Sequence, residues 1–168
     1  VNSDSFAMTD VMYLDDTAAA AANIGRVSAF GASTFTLASS NQGVNSSSYS
    51  YIAYCFHSIE GYSKVGSYEG NGNLDGTFVY TGFRPAFVMT KSVDSTSDWQ
   101  MFDSKRVGYN VDNYVIEAND GAVEDTSTEF IDIVSNGFKN RDTTDPNVAE
   151  TYLYIAFAET PFKTANAR

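Results

Sequence analysis

The sequence is poor in residues that do chemistry. Its 168 residues include one cysteine and one histidine. A single cysteine excludes an intrachain disulfide framework and any multi-cysteine zinc site. Only 10 Lys and Arg stand against 21 Asp and Glu, a formal net charge of -11. Such a surface repels phosphate backbones and anionic lipid, which argues against nucleic-acid or polybasic membrane partners. No apolar run approaches the ~18 residues needed to cross a bilayer, so membrane insertion is not expected. The opening VNSDSFAMTD has neither the basic n-region nor the apolar h-region of a signal peptide. It also starts without methionine, as expected of a processed product or a piece of a longer chain. Of the three prolines, Pro85, Pro146 and Pro161 fall at expected strand starts or loops, where they leave a sheet intact.

What is present is apolar, aromatic and small-polar. Hydrophobic residues make up 43% and aromatics 14%, enough for a sizeable core. Charged residues are only 18%, so Ser, Thr, Asn and Gly carry the polar share. Short runs of Val, Ile, Tyr, Phe and Thr alternate with Gly, Asn, Asp and Ser clusters, the pattern of an all-β chain. Strands are expected near 11–14, 26–30, 34–38, 49–58, 62–69, 77–81, 86–92, 98–103, 112–117, 129–134, 137–140 and 151–159. SNGF at 135–138 reads as an Asn-Gly hairpin turn. The one expected helix is DDTAAAAANIG at 15–25, with an Asp cap, an alanine run and a terminating Gly25.

One strand is written twice. YSYIAYCFHSIE at 49–60 is echoed by YLYIAFAETPFK at 152–163. Sliding the chain by 103 positions superposes Tyr49, Tyr51, Ile52 and Ala53 on Tyr152, Tyr154, Ile155 and Ala156. Phe30 and Phe35 fall on Ile133 and Phe138 without a gap. The spacing predicts a duplicated unit: residues 1–61 form a partial first repeat and 62–168 a complete second one, sharing one β-sandwich core. The first copy lacks counterparts of the opening strands, which are expected upstream or from a neighbouring subunit. Both echoes are apolar on their two faces, so each is expected to be the central strand of its unit, buried on two sides or at the centre of a sandwich.

The repeat also weighs the chemistry. Cys55 and His57 sit two apart on an expected strand and point the same way, as a thiolate–imidazole pair would. Their counterparts are Ala158 and Thr160, so packing and a strand-end histidine are the better reading, and no catalytic residue is assigned. NGNLDG places Asn71, Asn73 and Asp75 like the first half of a calcium loop, but Gly82 stands where the bidentate Glu belongs. A Gly-rich hairpin loop is preferred to a metal site. The acidic pairs Asp15/Asp16, Asp94/Asp98, Glu124/Asp125 and Asp142/Asp145 fall mostly in expected turns, which disfavours a two-carboxylate glycosidase. Trp99, Tyr109, Tyr68 and Tyr80, with Asp103 nearby, are weak glycan-binding candidates, set against aromatics that close a core or an interface.

The segments carrying Gly82, Phe83, Pro85, Lys91, Phe102, Asp103, Arg106, Tyr114, Asn136, Gly137, Phe138, Tyr154, Ile155 and Ala156 resemble an uncharacterised tandem-repeat β domain of marine bacteriophage structural (tail or virion) proteins. The first copy resembles it through Tyr13, Leu14, Phe30, Phe35, Tyr51, Ile52 and Ala53. The resemblance implies a virion-surface component, as a tail-fibre or adhesin module or a capsid decoration protein. It implies no cofactor and no catalytic residue, with other virion proteins and copies of itself as partners. The expected fold is all-β, an antiparallel sandwich of jelly-roll or lectin-like type. The alternative function is a carbohydrate-binding module recognising host-surface glycans.

Overall fold

A computed structural model describes residues 10–21, 26–38, 43–106, 110 and 114–161. Among them, ten strands and no helix occur. In chain order they are β1 (Val27–Phe30), β2 (Phe35–Leu37), β3 (Ser63–Glu69), β4 (Phe78–Tyr80), β5 (Pro85–Ser92), β6 (Gln100–Asp103), β7 (Ile116–Glu117), β8 (Ile131–Val134), β9 (Gly137–Asn140) and β10 (Thr151–Ala158). A five-stranded sheet runs β3-β10-β5-β6-β7, a three-stranded sheet β4-β9-β8, and β1-β2 stands as a separate hairpin. Every pairing is antiparallel, so the chain is all-β with two sheets stacked over one core.

The core is organised around β10. Period-two alternation turns Tyr152, Tyr154 and Ala156 inward at 1%, 4% and 0% exposure. Across the gap the smaller sheet presents Val79, Ile131, Ile133 and Phe138. Tyr68 stacks on Tyr152 at 5.3 Å, and Phe138 meets both Tyr68 and Tyr154 edge-on at 5.7 Å. Such ring pairs contribute about 0.5–1.5 kcal/mol each beyond the area they bury. Gly66 lies opposite Tyr154 on β3, and a Cβ there would stand 3.0 Å from the ring, so the missing side chain makes room for it.

The hairpin turn falls at the expected place with a different division of labour. Val134 pairs with Gly137, so Ser135 and Asn136 form the loop and Gly137 opens β9. Glycine is needed there because an added Cβ would lie 2.0 Å from the Val79 carbonyl oxygen of β4.

Four expectations are corrected. Residues 49–58 form no strand and lie exposed throughout. The second echo is buried on one face only, its outward Leu153, Ile155 and Phe157 being half-buried. Near 11–14 a single bridge, Val11 to Ala21, replaces a strand. Of the expected helix at 15–25, residues 15–21 are non-helical and 22–25 lie outside the described residues. There the Ala20 N–H donates to the Val93 carbonyl (3.0 Å), and the Ala21 N–H donates to that of Val11 (2.9 Å). A short alanine run is marginal as a helix on its own, and these long-range bonds supply a better partner for its backbone.

Candidate functional site: an exposed aromatic strip

The residues singled out for a ligand do not converge. Trp99 immediately precedes β6 and Asp103 ends it, about 13 Å apart along extended chain. The Trp99 indole N–H donates to the Tyr13 carbonyl at 2.8 Å. Asp103 accepts bonds from the Lys105 and Arg106 backbone N–H groups and from the Arg106 guanidinium, which also reaches Glu124. Burial pushes the Asp103 carboxyl up, but those bonds outweigh it and hold the group below its ordinary pKa. Tyr80 is exposed on the other sheet, Tyr68 is buried in the core, and Tyr109 lies outside the described residues.

The NGNLDG loop closes around an amide. The fully buried Asn147 side chain donates through Nδ2 towards Asn71 Oδ1 (3.1 Å), the Asn73 carbonyl (2.8 Å) and the Asp142 carbonyl (2.7 Å). Its Oδ1 accepts the Asn71 and Thr77 N–H groups. The nitrogen lies between those three oxygens and ties the loop to Asn147. Asp75 points away, 90% exposed, and pairs with Lys139.

Lys91, which the sequence marks only as a pattern position, sits in a buried polar cluster. It is 1% exposed, and its ammonium donates to the Ser92 carbonyl (3.0 Å), the Ser95 carbonyl (3.5 Å) and Ser97 Oγ (3.4 Å). Burial lowers its pKa, against the pull of Asp145, Asp98, Asp16 and Glu150. A lysine acting as base needs a lone pair aimed at a reachable hydroxyl. Here all three N–H positions are engaged and Ser97 is itself buried, so the amine fastens the 92–97 turn. Cys55 and His57 are exposed in irregular chain, with His57 Nδ1 bonded to the neighbouring Ser58 carbonyl at 3.0 Å.

What stands out is a surface. Tyr49, Tyr51, Ile52, Tyr54 and Phe56 are 73%, 46%, 81%, 80% and 59% exposed. A contiguous run of large exposed apolar side chains is a candidate interaction surface. The strip continues into Phe157 and Tyr62, with Phe56 and Tyr62 edge-on to Phe157 at 5.9 and 6.3 Å. Its exit is fixed: the Ser63 hydroxyl donates to the His57 carbonyl (2.8 Å), and Ser58 Oγ bonds both backbone groups of Val65 on β3. Among the described residues, no strand pairs with Ile52–Phe56 and none of their backbone groups meets a backbone partner.

No curated protein and no solved structure matches the chain. One family model does, over residues 1–161, and it is described as a domain of unknown function, DUF7483. The match takes in both sheets, the hairpin and the exposed strip, and the chain belongs to the DUF7483 family.

Proposed function

We propose that this chain is a non-enzymatic structural protein of a bacteriophage virion, exposed on the particle as a tail-fibre or adhesin module or as a capsid decoration protein. The strip at 49–56 is its contact surface with a neighbouring unit. The observation that carries the reading is the apolar exposure of that strip, beside candidate chemical groups that are either engaged in bonds or scattered. The resemblance of the repeat pattern to phage structural proteins supports the virion setting. A net charge of -11 keeps such a surface soluble until its partner covers it.

The carbohydrate-binding alternative has less behind it, because Trp99 spends its indole N–H on Tyr13 and Tyr80 sits in the other sheet. Native mass spectrometry with a glycan array tests the two together. Strip-dependent oligomers that bind no glycan support the structural reading. A monomer that binds one glycan through Trp99 overturns it, as does release of reducing ends from a host polysaccharide.

A further inference from the structure

The exposed strip has the side-chain sequence of a central strand, yet among the described residues no strand flanks Ile52–Phe56. At the 103-residue offset, Tyr49, Tyr51 and Ala53 correspond to Tyr152, Tyr154 and Ala156. The later three are the inward face of β10, at most 4% exposed, whereas Tyr49 is 73% and Tyr51 46% exposed. The hairpins before the two echoes share their register next to the turn, although a bulge between Val27 and Ala29 shifts the first one beyond it. Ala29 pairs with Thr36 and Phe30 with Phe35, as Asp132 pairs with Lys139 and Ile133 with Phe138.

The complete arrangement shows what the strip lacks. β10 is bonded along both edges, to β3 over Thr151–Phe157 and to β5 over Tyr152–Ala158. In this chain the β3–β6 block follows the strip. The block that is present is consumed by β10, so a second copy of this chain would have to open its own core to donate one. Two bonded edges and an inward aromatic face cannot be supplied by a side-chain contact alone.

We propose that residues 49–56 are an acceptor strand, completed by two flanking antiparallel strands of β3 and β5 pattern from a further unit of the same repeat. This rests on the reading of the strip as a contact surface and names its occupant. The register follows from β10: Tyr51 faces a glycine on the β3-like side, as Tyr154 faces Gly66, and a threonine on the β5-like side, as Tyr154 faces Thr90. Ile52 faces valine and methionine, the counterparts of Val65 and Met89. Main-chain bonds supply affinity in this mode and the alternating pockets supply selectivity. A β4-like strand is not part of the complement. Thr34 stands where Gly137 does, and a Cβ at Gly137 would strike the β4 backbone.

The test extends the full chain at its N-terminus with a duplicate of its own residues 62–103, joined directly to Val1 so that the repeat spacing is kept. Hydrogen exchange at residues 50–56 is expected to slow on the order of 100-fold, as in a sheet interior, and the thiol of Cys55 to react correspondingly more slowly. Tyr51→Asp in the extended chain is expected to cancel both effects while the amides of β10 stay protected. A peptide of residues 84–92 added to the unextended chain asks the same question in trans. Unchanged exchange at 50–56 in both formats overturns strand completion. If the unextended chain still associates through the strip in that case, the contact-surface reading survives without it.

Discussion

The Nδ2 atom of Asn147 lies 3.1 Å from Oδ1 of Asn71, 76 residues earlier in the chain. With the Asn73 and Asp142 carbonyls this makes one buried amide the anchor of two loops. Asn147→Leu keeps the volume and strands those oxygens, together with the N–H groups of Asn71 and Thr77. A stranded group costs about 1–3 kcal/mol when fully buried, and the exposure of Asn71 and Asn73 offsets much of this, so a net loss of about 2 kcal/mol is expected in urea denaturation. Millimolar calcium is expected to leave the melting temperature of the unsubstituted chain where it is. A calcium-dependent rise would restore the ligand-loop reading.

Gly137 supplies a sharper steric test. A methyl group at this position meets the Val79 carbonyl rather than a side chain that can swing aside. Gly137→Ala is expected to cost about 2–3 kcal/mol and to loosen β4 from β9, seen as faster exchange at Val79. Gly121, whose Cβ would meet nothing within 4 Å, is the control. Gly121→Ala is expected to stay within about 0.5 kcal/mol of the parent. Equal losses at both sites would contradict the packing described.

Much of this was legible in the chain because alternation encodes which face of a strand is apolar. β10, its partners β3 and β5, and the turn at Ser135–Asn136 all follow from local pattern. Alternation does not encode whether neighbours are present. YSYIAYCF and YLYIAFA carry the same message, yet one is exposed and the other is central. Asn147 was invisible because a loop amide has no periodicity, and its partners are distant in sequence. The alanine run misled for a related reason: propensity is a weak prior, and bonds to Val11 and Val93 outbid it.

Stability should depend on pH in two opposite windows. Burial lifts the pKa of Asp145, against the hydrogen bond it accepts from Tyr152, and burial likewise lifts Glu117. A carboxyl raised in the native state holds its proton to higher pH than in the unfolded chain. Its contribution is therefore present at low pH and is lost as pH climbs from about 4 through the native value. Glu159, bonded to Lys105 and Arg84, and Asp103 are lowered, so their contribution is lost as pH falls below about 4. The melting temperature is expected to rise as pH drops through the raised native values of Asp145 and Glu117 towards about 4, and to fall below that. Asp145→Asn keeps an acceptor for the Tyr152 hydroxyl and should flatten the upper slope while sparing the acid limb. Superimposable profiles for parent and variant would refute the assignment.

The two echoes themselves permit a matched comparison. Tyr49 and Tyr152 occupy the same place in the repeated sequence, but one is 73% exposed and the other 1%. Tyr152→Ser removes a ring stacked on Tyr68 and the hydroxyl that donates to Asp145. By analogy with large-to-small core changes, a loss of about 3–5 kcal/mol is expected. Tyr49→Ser removes a ring facing solvent and should change unfolding by no more than about 0.5 kcal/mol. If the strip is a contact surface, the same Tyr49→Ser should reduce association in sedimentation velocity, a property the core substitution affects only through unfolding. Stability and assembly then separate onto two copies of one strand. An equal cost in denaturation at the two tyrosines would mean that the strip is already covered within its own chain, and the case for an outside partner would fail.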